Sequence, residues 1–185
     1  MIGCQKVDDS PLGQYRRAVA AGLEADPSGG EAVFGIHLGD TDRAFFDRCT
    51  ELNRQQIVTM AGGGNLVGHR LENDLDRPAN MTFRPVFTEE TPRKIGAMDL
   101  TFMYDDWSPW NKAAYTDKLL PEVADYLSRT LGVNFLEIEH PRLKRMYVHV
   151  DGSRHVAVWA DDVSLVKGRI TDLSELDADP LGLTP

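Results

Sequence analysis

The amino-acid sequence predicts an α+β fold, a two-layer sandwich in which antiparallel meander sheet packs against helices. Three observations lead there. Apolar residues recur at helical spacing in three stretches. After the second and third of these come runs that alternate apolar and polar residues with period two, separated by turn residues. A helix followed by strands thus occurs twice, which suggests a tandem helix-plus-meander duplication, although the halves do not align residue by residue. At 185 residues the chain forms one domain or two small, closely packed halves.

The elements follow in order. Leu12, Tyr15, Val19 and Leu23 trace a short amphipathic helix that Asp26-Pro27-Ser28-Gly29-Gly30 ends as a linker, so residues 1–30 read as an N-terminal tether. The α+β domain spans 31–171, with structural halves at 31–112 and 113–171. An extended apolar run over Ile36-His37-Leu38 stops at Gly39, and Asp40 or Thr41 offers an oxygen to cap the next helix. That helix covers about Asp42 to Arg54, with Phe45, Cys49 and Leu52 on one stripe. Gly62-Gly63-Gly64-Asn65 is a loop. Strands follow at Leu66–Leu71, at Asn80–Phe87, where Pro85 marks an edge or bulge, and at Ile95–Tyr104.

The third helix covers about Thr116 to Leu131. Leu119, Leu120, Val123, Tyr126, Leu127 and Leu131 keep its spacing, and Gly132 suits its left-handed C-terminal position. Pro121 is tolerated only near a first turn, so this helix starts late or bends there. Strands then occupy Asn134–Ile138, Arg145–Val150, Arg154–Ala160 and Ser164–Thr171. Asp151-Gly152 marks a two-residue primed turn between two of them. The hairpin puts Met146, Val148, Val150, His155, Ala157 and Trp159 on one face, and its apolar members are expected to pack on Val123, Leu127 and Leu131. Residues 172–185 form an acidic tail that frays.

Charge excludes some roles. The formal net charge is −9, which repels phosphate backbones, and the cluster Arg142, Lys144, Arg145 reads as a solvated strand end. No nucleic-acid partner is expected. No apolar run approaches the ~20 residues of a spanning helix. Any membrane association would come through a lipid anchor.

Cys4 offers one. Met1-Ile2-Gly3-Cys4 resembles the last part of a bacterial lipobox, and Gln5-Lys6-Val7-Asp8-Asp9 resembles the charged segment after such cysteines. The pattern departs in that no charged or long apolar segment precedes it here. Ile36 through Phe46, an I-x-L-G-x-T-x-x-x-F-like lead into a helix, together with the meander after it, resembles the small SmpA/OmlA-type envelope lipoproteins and the β-lactamase-inhibitor-like domains. The resemblance covers about a third of the chain. It implies an extracytoplasmic two-layer domain acting by protein contact without cofactor. A kinship with uncharacterised envelope lipoproteins of Bacteroidota-like bacteria implies no activity.

No catalytic residue emerges. Strand alternation points His149 and His155 to opposite faces, so the two cannot share an ion, and no metal site is expected. His155 reads as a hydrogen-bonded histidine at the core edge. The triple glycine lacks the Lys-Ser/Thr pair and helix start of a phosphate loop. Ser153 lacks the strand-turn-helix setting of a nucleophile elbow. The acid pairs Glu89-Glu90, Asp105-Asp106 and Asp161-Asp162 sit at turns.

One stretch stands out. Tyr104-Asp105-Asp106-Trp107-Ser108-Pro109-Trp110-Asn111 joins the first meander to the third helix, so Tyr104, Trp107 and Trp110 are the candidate binding residues. The tryptophans either plug the junction between the halves or form a recognition edge. The function this supports is a non-enzymatic, extracytoplasmic protein-binding or envelope-assembly module, periplasmic or at the cell surface, contacting an envelope protein or glycan. The alternative is a carbohydrate-active hydrolase or glycan-binding protein using Trp107, Trp110 and nearby acids. Convergent titratable groups beside the tryptophans would favour the enzyme.

Overall fold

The computed structural model of the chain describes residues 8–175 and residue 181. Cys4 lies outside them. Local signals set the helices. Helix α1 (Pro11–Leu23) starts with proline at its first position, and the Ser10 hydroxyl accepts from the Gly13 amide. Helix α2 (Asp42–Arg54) is capped by Thr41, whose Oγ1 accepts from the Ala44 amide at 3.2 Å. Helix α3 (Thr116–Leu131) has no side-chain cap. Its Thr116 amide instead donates to the carbonyl of Val163, in the loop between two distant strands. The helix starts at Thr116 and runs through Pro121 to Gly132, whose φ of 66° is the left-handed ending expected there.

Ten strands are present among the described residues. β1 (Glu31–Val33) and β2 (Ile36–His37) form a small hairpin. Its turn places Phe34 and Gly35 at positive φ, the Arg48 Nε of α2 donates to the Phe34 carbonyl at 2.9 Å, and the Phe34 ring packs on Phe83. The others are β3 (Thr59–Met60), β4 (Val67–Leu71), β5 (Ala79–Phe87), β6 (Ile95–Tyr104), β7 (Leu136–His140), β8 (Lys144–Asp151), β9 (Arg154–Ala160) and β10 (Val166–Asp172). They form one antiparallel sheet in the order β3-β4-β5-β6-β10-β9-β8-β7. A helix followed by a four-strand meander therefore occurs twice, and the two meanders join where their last strands, β6 and β10, pair over Val166–Phe102 to Thr171–Ala97.

Alternation gives this sheet two faces of different character. One carries Met81 and Phe83 of β5, Met98, Leu100 and Phe102 of β6, Val166 and Ile170 of β10 and Val156 and Val158 of β9. All are buried with Phe45 and Leu52 of α2 and Leu119, Val123 and Leu127 of α3 in a single core. The Phe45 ring meets Phe87 and the Tyr126 ring meets Phe102, both edge-on.

The hairpin residues Met146, Val148 and Ala157 are buried as expected, but α3 does not cover them. They pack with Ile138, Tyr15, Leu12 and Val19, so the cover on their face is α1. The physical reason is register. Val156 and Val158, not Ala157, share the face of Phe102 and Leu100 through β10, and that face is the one α2 and α3 occupy. The helix expected in a tether is thus part of the packed domain. Gly22 shows how closely it lies: a Cβ there would sit 2.6 Å from the Gly152 carbonyl oxygen and 2.7 Å from Leu173 Cδ1. Leu173 and Leu181, in the segment expected to fray, are buried.

The β8–β9 turn is displaced by one residue from the expected one. Asp151 pairs with Arg154, so the loop is Gly152–Ser153, with Gly152 at φ 57° in its first position, as in a II′ turn. Ser153 is buried and its hydroxyl accepts from the Ser28 amide at 2.8 Å, which ties the turn to the segment after α1.

Candidate functional site

The connector between β6 and α3 separates its three aromatic residues. Tyr104 ends β6 on the core face at 1 % exposure and cannot serve as a surface contact. Burial, and then the neighbouring Glu122 carboxylate, push its hydroxyl well above the ordinary tyrosine range. Trp107 is half-buried and packs against the main core. Its indole nitrogen is buried without a hydrogen-bond partner among the described residues. Trp110 is 90 % exposed. The structure therefore gives one tryptophan to the junction and presents the other.

The connector is held from several sides. Asn111 Nδ2 donates to the Asp106 carbonyl and to its carboxylate, both at 3.1 Å, and Tyr115 donates its hydroxyl to the Pro109 carbonyl at 2.7 Å. Arg77 pairs with Asp106 and Arg70 with Asp105. Both acids beside the tryptophans thus have cationic partners. The same end of the sheet carries the β4–β5 loop and the β9–β10 loop. In the latter, amides and the hydroxyl of Ser164 with the amide of Leu165 bond to Asp162 and hold its carboxyl below the usual range.

The five histidines are separated. His155 is 1 % exposed on the face under α1, its Nε2 2.9 Å from the Tyr15 hydroxyl. Burial, and then the charges of His149 and Arg169, lower its pKa to about 4, so it is neutral near pH 7. His149, on the opposite face as expected, bonds through Nδ1 to the Asn134 carbonyl. His69 bonds the Ile57 carbonyl, and His37 faces Asp40. His140 is buried. Its Nδ1 accepts from the Arg142 and Leu143 amides, which leaves the proton on Nε2 to donate to the Leu181 carbonyl. Among the described residues no group of three or more His, Cys, Asp or Glu side chains is placed to hold a metal ion. Cys49 lines a 220 Å³ apolar hollow with Phe46, Val58 and Met60, and burial pushes its thiol up to about 11.

Sequence reasoning missed one cluster. Arg84, Asp99 and Arg169 meet on the sheet face that α1 leaves open, through the pairings Arg84–Asp99 and Asp99–Arg169. Alternation marks each as outward-facing within its own strand, but only strand order brings the three together. No protein-family model, no curated protein and no solved structure matches this chain.

Proposed function

We propose that the chain is a non-enzymatic protein-binding or assembly module of the cell envelope, with the connector around Trp110 as its contact edge. One observation carries the reading: Trp110 is 90 % exposed on a connector already fixed by hydrogen bonds and ion pairs. A large aromatic presented on a pre-ordered segment loses little entropy on binding, and tryptophan is enriched among interface hot spots. The β4–β5 and β9–β10 loops at the same end of the sheet carry the acids Asp74, Asp76, Asp161 and Asp162. A partner surface with basic groups fits that field, and a cation over the indole would add to it. The lipid anchor at Cys4 rests on the short lipobox-like run, and the envelope location on that run together with the resemblance of the Ile36–Phe46 segment to envelope lipoproteins.

The test is a paired experiment. Trp110→Ala should change stability by less than about 0.5 kcal/mol, since the side chain is exposed. It should weaken capture of an envelope protein by about 2 kcal/mol or more. Trp107→Ala should instead cost about 3 kcal/mol of folding stability. A photo-cross-linking residue at position 110 identifies the partner. Capture by Trp110→Ala equal to wild type would remove this edge from the function, and capture that survives protease but not glycan digestion would favour the glycan-binding alternative. Metabolic labelling with a fatty-acid analogue, compared between wild type and Cys4→Ser, tests the anchor.

A further inference from the structure

The open face of the sheet carries a hollow of about 290 Å³, lined by Arg84, Asp99, Thr101, Trp159, Lys167 and Arg169. Strand register assembles it. Arg84 opposes Asp99 across β5–β6, Asp99 opposes Arg169 across β6–β10, and Lys167 lies between Thr101 and Trp159. The Asp99 carboxylate stands 3.7 Å from Arg84 and 3.5 Å from Arg169. Both distances exceed the ~2.7–2.9 Å of a charge-assisted hydrogen bond. Among the described residues no hydrogen bond holds either guanidinium, so two forks of donors share one distant acceptor. Lys167 is held by Asp161 at 2.9 Å, outside the hollow. Two guanidiniums against one acid converge here on a chain of net charge −9. Half-buried Trp159 supplies a flat wall beside them.

We propose that this hollow binds a small carboxylate-bearing ring compound of the acidic-sugar class. The ligand carboxylate takes the free donors of Arg84 and Arg169, whose planar forks match it in geometry as well as charge. The apolar face of the ring lies on Trp159. Asp99, an acceptor only, and the Thr101 hydroxyl take ring hydroxyls. The volume, near the lower end of ligand sites at roughly 300 Å³, suits one sugar unit and not a longer chain. The site is separate from the Trp110 edge and does not depend on it.

The test is a titration of the full chain by NMR with sodium D-glucuronate at fixed ionic strength, beside D-glucose and sodium acetate. Saturable shifts are expected at the Trp159 indole N–H and at amides of β6 and β10. Glucose and acetate, each offering half of the recognition, should bind about tenfold more weakly or less. Arg84→Gln and Arg169→Gln should weaken glucuronate about tenfold or more while leaving the melting temperature nearly in place, because Arg84 is exposed, Arg169 is only half-buried and neither makes a close ion pair. Arg169→Lys, which keeps the charge but loses the fork, should weaken it too. Absence of a saturable shift, an equal response to glucose or to acetate, or unchanged affinity in the arginine variants would overturn the proposal.

Discussion

Acid should loosen this protein through His155. The imidazole is neutral and buried between α1 and the sheet, with a pKa near 4 against an ordinary value of 6.5. The sign follows from linkage. Between those two values the unfolded chain binds a proton that the folded chain refuses, so stability is complete above about 6.5 and falls as pH drops toward 4. At about 1.36 kcal/mol per pKa unit, the full loss is about 3 kcal/mol, of which about 2 kcal/mol appears between pH near 7 and pH near 5. The groups facing the ring do not offset this: Arg169 on β10 and His149 on β8 both oppose a second positive charge, and the Tyr15 hydroxyl from α1 is neutral. The assay is urea unfolding of wild type and His155→Gln at the two pH values. Glutamine keeps a polar contact for Tyr15 without a titrating group, so the difference between the two pH dependences isolates His155 from the surface carboxylates. Equal losses in both proteins would refute the reasoning. Hydrogen exchange should show α1 opening first in acid, since Tyr15–His155 is among its hydrogen bonds to the sheet.

Two further substitutions test the packing. Val148→Asp puts an unpaired charge at a fully buried position among Tyr15, Ile138 and Met146, and should leave the chain largely unfolded at room temperature. Melting within a degree or so of wild type would mean the assigned face is wrong. Gly22→Val drives a side chain into the Gly152 carbonyl and Leu173, so α1 must lift from the hairpin. Loss of exchange protection confined to α1 and β7–β8 is the expected result, and an unchanged melting curve would show that the close approach is not required.

How much was legible depended on how local the signal was. The bounds Asp42–Arg54 can be read from the Thr41 cap and the apolar stripe behind it, and Thr116–Leu131 from its own stripe and the Gly132 stop, all signals local to one segment. β6 at Ile95–Tyr104 and β9 at Arg154–Ala160 are equally plain, since alternation is a property of one strand. The short strands Glu31–Val33 and Thr59–Met60 are not, because pairing and not composition makes them strands. Asp151-Gly152 suits a I′ turn, whereas the observed register puts the turn one residue later, at Gly152–Ser153. At the candidate site, Trp110 following Pro109 and Trp107, separated from the end of β6 by Asp105 and Asp106, differ in local setting, but their burial comes from what packs over the connector.

By itself the sequence determined the class, the helices, most strands and the buried face of each, because these follow from side-chain periodicity and from capping groups a few residues apart. Only the tertiary structure decided which helix covers which face. Val148 and Val158 are both apolar hairpin residues, yet the β10 pairing sends one under α1 and the other under α3. It also decided the sheet order that joins two meanders through β6 and β10, and so brought Arg84, Asp99 and Arg169 into one hollow from three separate strands. The physical reason is that alternation fixes a residue's face relative to its own strand, while the neighbour across the sheet depends on contacts between segments far apart in the chain.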